Sequence, residues 1–82
     1  IHRIVKHHAA PNFWSCYGRL PDEIQQTANK SFALLKQDPR HPSLQLKKLD
    51  WLWSARVGLH YRALAIEVPD GFLWFWIGSH VE

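Results

Sequence analysis

The chain predicts an α+β fold in which two N-terminal helices pack on one face of a small, mainly antiparallel sheet, in the order β-α-α-β-β-β-β. Three observations carry that expectation. Ile24, Ala28, Phe32 and Leu35 form a helix-spaced apolar stripe, begun by Pro21 and ended by Asp38-Pro39 and His41-Pro42. From Leu44 onward the pattern changes to strand-like alternation. The gaps between the later apolar runs permit only antiparallel neighbours, and helices that precede such a run segregate to one side of it.

Taken in order, residues 2–8 (His2-Arg3-Ile4-Val5-Lys6-His7-His8) read as a first strand. Pro11 suits the first position of a short helix, and Phe13, Cys16, Tyr17 and Leu20 follow at helical spacing. Pro21 starts the longer helix, with Asp22 and Glu23 in its first turn complementing the helix dipole. Four strands are then expected at Leu44 to Leu49, Trp53 to Val57, Tyr61 to Val68 and Phe72 to Ser79.

The segment Val68-Pro69-Asp70-Gly71-Phe72 reads as the last hairpin loop: Pro presets φ, Asp caps the turn and Gly takes a left-handed position. With Val68 facing Phe72, the ladder continues as Ile66–Trp74, Leu64–Trp76, Arg62–Gly78 and His60–His80. Side chains alternate faces with period two, so this register puts His60, Arg62 and His80 together, with Gly78 leaving the space over Arg62 open. The preceding hairpin has two readings. A Gly58-Leu59 loop pairs Arg56 with Tyr61, whereas a Gly58-Leu59-His60 loop sets Arg56 opposite Arg62, which is unfavourable without a bound anion.

The same register places Trp74 and Trp76 on the His80 face with Leu64 and Ile66. The other face carries Leu73, Phe75 and Ile77 with Ala63 and Ala65, whose small side chains admit helices closely. The helices are therefore assigned to the alanine face. The tryptophan face stays partly open, and a contiguous apolar patch of that kind marks a partner site.

Eighty-two residues without repeats, linkers or low-complexity runs are expected to form a single domain, 1–82, near the lower size limit for independent folding. Five Trp, four Phe and two Tyr supply large buried areas for its core. One cysteine excludes an internal disulfide; with no signal-like or membrane-length apolar run, it points to the cytoplasm. The formal net charge of +3 is a modest bias toward anionic partners, and Lys47, Lys48, Arg56 and Arg62 concentrate it in the strand region. Six histidines raise the question of a metal. No HxxxH or cysteine-based spacing occurs, His7 and His8 are adjacent on a strand, and His60 with His80 finds no third ligand, so neither metal nor cofactor is expected.

Leu20-Pro21 ahead of the amphipathic helix, Pro42-Ser43-Leu44 before Lys47-Lys48-Leu49, Tyr61-Arg62, and Ile77-Gly78-Ser79-His80 occur in an order that resembles the RelE/ParE superfamily of type II toxins, from about Phe13 to Glu82. The resemblance implies the same helices-on-sheet fold. Its RelE branch consists of ribosome-dependent mRNA endonucleases, each neutralised by a cognate antitoxin that wraps it. Carried over residue by residue, the resemblance implies that Arg62 is the arginine after an aromatic residue on the central strand. It likewise makes His80 the basic or histidine position after the last strand's glycine, and Lys47, Lys48 and Arg56 the basic positions around the central hairpin. The family pattern often continues with an acidic residue and a tyrosine; Glu82 fits the first, and no tyrosine follows it. The ParE branch, which binds DNA gyrase, is the alternative, and a catalytically idle RNA- or protein-binding relative is a third; His80 favours the RNA branch.

Metal-free RNA cleavage uses the 2′-hydroxyl against the adjacent phosphate, and needs alignment, proton transfer at both oxygens and stabilisation of developing charge. Arg62 suits the charge role because its planar fork binds phosphate oxygens and keeps its proton. His80 is the best general acid or base, His60 its partner across the ladder, and Arg56 a second cation. Lys47 and Lys48 are candidates for flanking phosphates, Trp76 for base stacking and His41 for a contact from the preceding loop. Adjacent strand residues point to opposite faces, so only one of the two lysines can reach the site. Against these readings, Arg62 could instead pair with Glu67 or Asp50, His60 could be a solvated hairpin residue, His41 a turn residue, and His7 and His8 surface positions. The partners implied are an antitoxin and mRNA on the ribosome, with no membrane, and a homodimer where the antitoxin is absent.

Overall fold

A computed structural model describes residues 5–79. They form β1 (Lys6–Ala9), α1 (Pro11–Gly18), α2 (Asp22–Gln37), a 3₁₀ turn (Pro42–Leu44), β2 (Lys47–Leu49), β3 (Leu52–Val57), β4 (Tyr61–Val68) and β5 (Gly71–Ser79). This is the expected order of elements. The strands make one sheet in the order β1-β5-β4-β3-β2, antiparallel throughout except that β1 runs parallel to β5.

Both helices lie on one face, α1 over β5 and α2 toward β3. Leu20, Ala28, Leu35 and Leu44 meet Ala55, Val57, Ala63, Ala65, Trp74 and Ile77 in the core. The alanines of β3 and β4 supply the close approach expected of that face. Phe13, Cys16 and Tyr17 of α1 and Ile24 of α2 pack around this cluster as their spacing requires. Phe32, the third member of the α2 stripe, departs from it: the residue is 42% exposed, with its ring edge-on to His7.

Three boundaries differ from expectation. The first strand, expected over residues 2–8, runs Lys6–Ala9 with Val5 outside it, residues 2–4 lying outside the described residues. Leu44 begins no strand; Pro42 opens a 3₁₀ turn that drops Leu44 into the core, and Gln45 reverses the chain with φ 43°. The last hairpin has a shorter loop than expected, because Val68 pairs with Gly71 rather than Phe72. Gly71 is required by close approach: a methyl group there would lie 1.9 Å from the carbonyl oxygen of Lys6 in β1.

That one-residue shift would move every side chain of β5 to the other face. A bulge opposite Leu64 and Ala65 absorbs it, leaving Phe75 without a ladder partner. Beyond the bulge the pairs are the expected ones, Leu64–Trp76 and Arg62–Gly78; before it they are Ala65–Trp74 and Ile66–Leu73. Trp74 and Trp76 consequently lie on opposite faces. Trp74 is buried beneath the helices, which corrects its placement on the open face, and Leu73 takes the reverse correction.

Candidate functional site

The face away from the helices carries Ser54, Arg56, Arg62, Leu64 and Trp76, by alternation with the core residues Ala55, Val57, Ala63 and Ile77. Val57 pairs with Tyr61, so the β3–β4 loop is Gly58-Leu59-His60 and Arg56 stands directly opposite Arg62. Of the two readings of this hairpin, the structure adopts the one that opposes like charges. Arg56 Nε donates to the carbonyl of Gly58 at 2.8 Å. Arg62 is held from the side: Nη1 donates to Ser54 Oγ at 3.2 Å and Nη2 to Gln45 Oε1 at 3.5 Å.

Among the described residues, no carboxylate oxygen lies within 4.0 Å of either guanidinium. Glu67 is engaged elsewhere, accepting from Trp53 Nε1 at 2.9 Å and facing Lys48 Nζ at 3.9 Å. Asp50 sits at the β2–β3 turn with φ 56°. Neither acid pairs with Arg62, so the ion-pair reading of that arginine fails for both. Two arginines on cross-strand neighbours, with no described acid in salt-bridge reach, form a local positive field that an anion would relieve.

The two lysines separate as strand geometry demands. Lys47 pairs with Ser54 in the ladder and shares the Arg62 face, whereas Lys48 pairs with Trp53, on the face of Glu67. Lys48 is thereby removed from the arginine pair. Trp76 lies beside Arg62, but its indole folds over Gly78, where an added methyl would come within 2.6 Å of a ring carbon. The space above Gly78, expected to be open, is filled by that ring.

The histidines distribute differently from expectation. His60 is exposed in the β3–β4 loop, and the last pair of the β4–β5 ladder among the described residues is Tyr61–Ser79. His80 lies outside the described residues. His41 is a turn residue: its Nδ1 accepts from the Ser43 N–H at 3.2 Å, capping the 3₁₀ turn. His7 is half-buried rather than an exposed surface position. It faces the helices beneath Phe32, and its Nδ1 accepts from Trp74 Nε1 at 3.1 Å, while His8 Nε2 donates to Asp70 on the outside. Burial first, then the nearby charges of Lys36 and His8, lower the His7 pKa from its usual value.

Ser54 and Gln45 escaped sequence reasoning, although both hold Arg62. Ser54 is 1% exposed and is the one buried polar residue among those described. Its signal was a small polar residue two positions before Arg56, on the face where apolar residues alternate. Gln45 gave no signal, because only the left-handed turn after Leu44 brings it to Arg62. Among the described residues, no three His, Cys, Asp or Glu side chains are grouped to hold a metal, and no helix is long and apolar enough to cross a membrane.

No protein-family profile matches the chain, and no curated protein matches it in sequence. Solved structures do match it in fold. An archaeal RelE–RelB complex from Pyrococcus horikoshii gives a TM-score of 0.72 at 14% identity, over 93% of this chain and 94% of that one. The YoeB dimer from Staphylococcus aureus gives 0.69 at 10% identity, over 95% and 99%. A YoeB/ParE toxin from Agrobacterium tumefaciens gives 0.70 at 15% identity, over 94% and 100%. The chain has the α+β fold of these toxins.

Proposed function

We propose that this chain is the toxin of a type II toxin–antitoxin pair and a metal-independent, ribosome-dependent mRNA endonuclease that inhibits translation in the cytoplasm. The observation that carries the reading is the Arg56–Arg62 pair on the open face, which no described acid neutralises, with Arg62 fixed by Ser54 and Gln45. The fold shared with RelE and YoeB toxins supports it. Arg62 stabilises the charge that builds on the phosphate as the 2′-hydroxyl attacks it, because its hydrogen bonds leave the fork oriented before substrate arrives. Arg56 adds a second positive charge to the same anion. Lys47 holds a flanking phosphate, and Trp76 offers a ring edge beside the site for a base. As the 2′-oxygen bonds to phosphorus the bond to the 5′-oxygen breaks, and His80 takes the 2′-hydroxyl proton and returns it to the departing 5′-oxygen. His60, on the exposed β3–β4 loop, is its proposed partner.

A cognate antitoxin is the proposed partner, as in the RelE–RelB complex, and a homodimer is its counterpart in the antitoxin's absence. The discriminating experiment is mRNA cutting on programmed ribosomes with Arg62→Ala and His80→Ala. Each is expected to lose about 10²–10⁴ in rate with the fold retained by circular dichroism. Growth arrest that persists in His80→Ala without detectable mRNA cuts would overturn the nuclease and favour gyrase binding.

A further inference from the structure

We infer that His7 and Trp74 form an acid-sensitive latch that holds the edge strand β1 against β5. Trp74 is buried under the helices, so its indole N–H must find an acceptor, and His7 Nδ1 at 3.1 Å is that acceptor. An indole nitrogen only donates, so Nδ1 carries no proton and the neutral imidazole has its hydrogen on Nε2. The imidazole is stacked on Phe72 at 5.9 Å and edge-on to Phe32 at 5.6 Å. It borders a largely apolar cavity of about 390 Å³ between helices and sheet.

Among the described residues, no acid compensates a charge on this ring. From α2 comes Lys36, whose ammonium lies 4.7 Å from the Phe32 centroid; from β1 comes His8; the Arg56 side chain of β3 is turned to the other face of the sheet. From α1 the titratable group is Tyr17, whose hydroxyl donates to Asn29. Asp70, in the β4–β5 loop, is engaged on the outer side by His8 Nε2 at 3.1 and 3.2 Å. A second proton on His7 therefore sets N–H against N–H, strands the buried indole donor and puts a cation among aromatic rings.

The direction follows from the lowered His7 pKa. The latch is fully present above the unfolded value near 6.5 and is lost as pH falls through the lower folded value. Besides the latch, β1 is held by its short parallel ladder on β5 and by the His8–Asp70 pair, and as a four-residue strand at the sheet edge it has a neighbour on one side only. Acid thus releases β1 ahead of the central strands and bares the edge of β5, a backbone surface that pairs with extended chain.

Hydrogen exchange by NMR between pH 7.5 and 5 tests this on the intact chain. After correction for intrinsic rates, the Trp74 indole proton and the amides of Lys6 and Ala10, which bond to the Asp70 and Trp74 carbonyls, should lose protection by up to about tenfold per pH unit. The β3–β4 amides should keep theirs. In His7→Asn the amide Oδ1 takes the place of Nδ1 and accepts the indole N–H without titrating, so protection should stay flat. Equal loss in His7→Asn, or no loss in the wild type, overturns the latch. Should that variant fail to fold, a wild-type titration decides: the indole proton must shift with the His7 ring at a common midpoint below 6.5, and an indole indifferent to His7 refutes it.

Discussion

Arg62 owes its orientation to two uncharged residues. A guanidinium on a strand has several rotamers, and the hydrogen bonds to Ser54 and Gln45 select one before any anion arrives. A hydrogen bond to a charged group contributes about 1.5–3 kcal/mol. Ser54→Ala should therefore cost a little stability, and should slow mRNA cutting by roughly ten- to a hundredfold through misplacement of the fork. Cleavage rates set beside urea denaturation check this, and destabilisation with unchanged cleavage would make Ser54 a packing residue only. The arginine itself was legible in the sequence, as a charge inside an apolar strand. Its supports were not: Ser54 depends on a cross-strand neighbour, and Gln45 on a left-handed turn that no periodicity announces.

Elements were more legible than their register. Alternating residues and proline stops gave the order of helices and strands, and small residues marked the face that receives the helices. The Phe75 bulge left no such trace, because a one-residue slip corrected within the same strand preserves both ends of the alternation. Its effect is specific all the same: it sends Trp74 to the core, where His7 accepts its hydrogen, and leaves Trp76 beside Arg62. The short β4–β5 loop that makes the bulge necessary brings Gly71 against the β1 backbone. Gly71→Ala should thus lower stability by about 1–3 kcal/mol, as overpacking does, and should loosen β1 first. A reduced urea midpoint with amide protection lost at Lys6 and Ala10, but kept at Arg62, is the expected result. Uniform loss across the sheet would mean that β1 and the central strands unfold as one unit.

At the scale of the whole molecule, the sheet divides two kinds of chemistry. The helix face closes an aromatic core around His7, and the open face presents Arg56, Arg62 and Lys47 without a described acid among them. A net charge of +3 is too small to gather RNA by its sum, so placement must decide affinity. Binding to single strands releases counterions, and log K falls with log salt by about 0.7 for each phosphate neutralised. Arg62→Ala and Arg56→Ala should each lower that slope by about this amount, measured by anisotropy of a short labelled RNA over a salt series. Lys48 is the matched control, being the same charge one residue from Lys47 but turned to the other face toward Glu67. Lys48→Ala should leave the slope nearly unchanged. If it lowers the slope as much as Arg62→Ala does, the attraction is diffuse, and the open face is not the track along which the RNA lies.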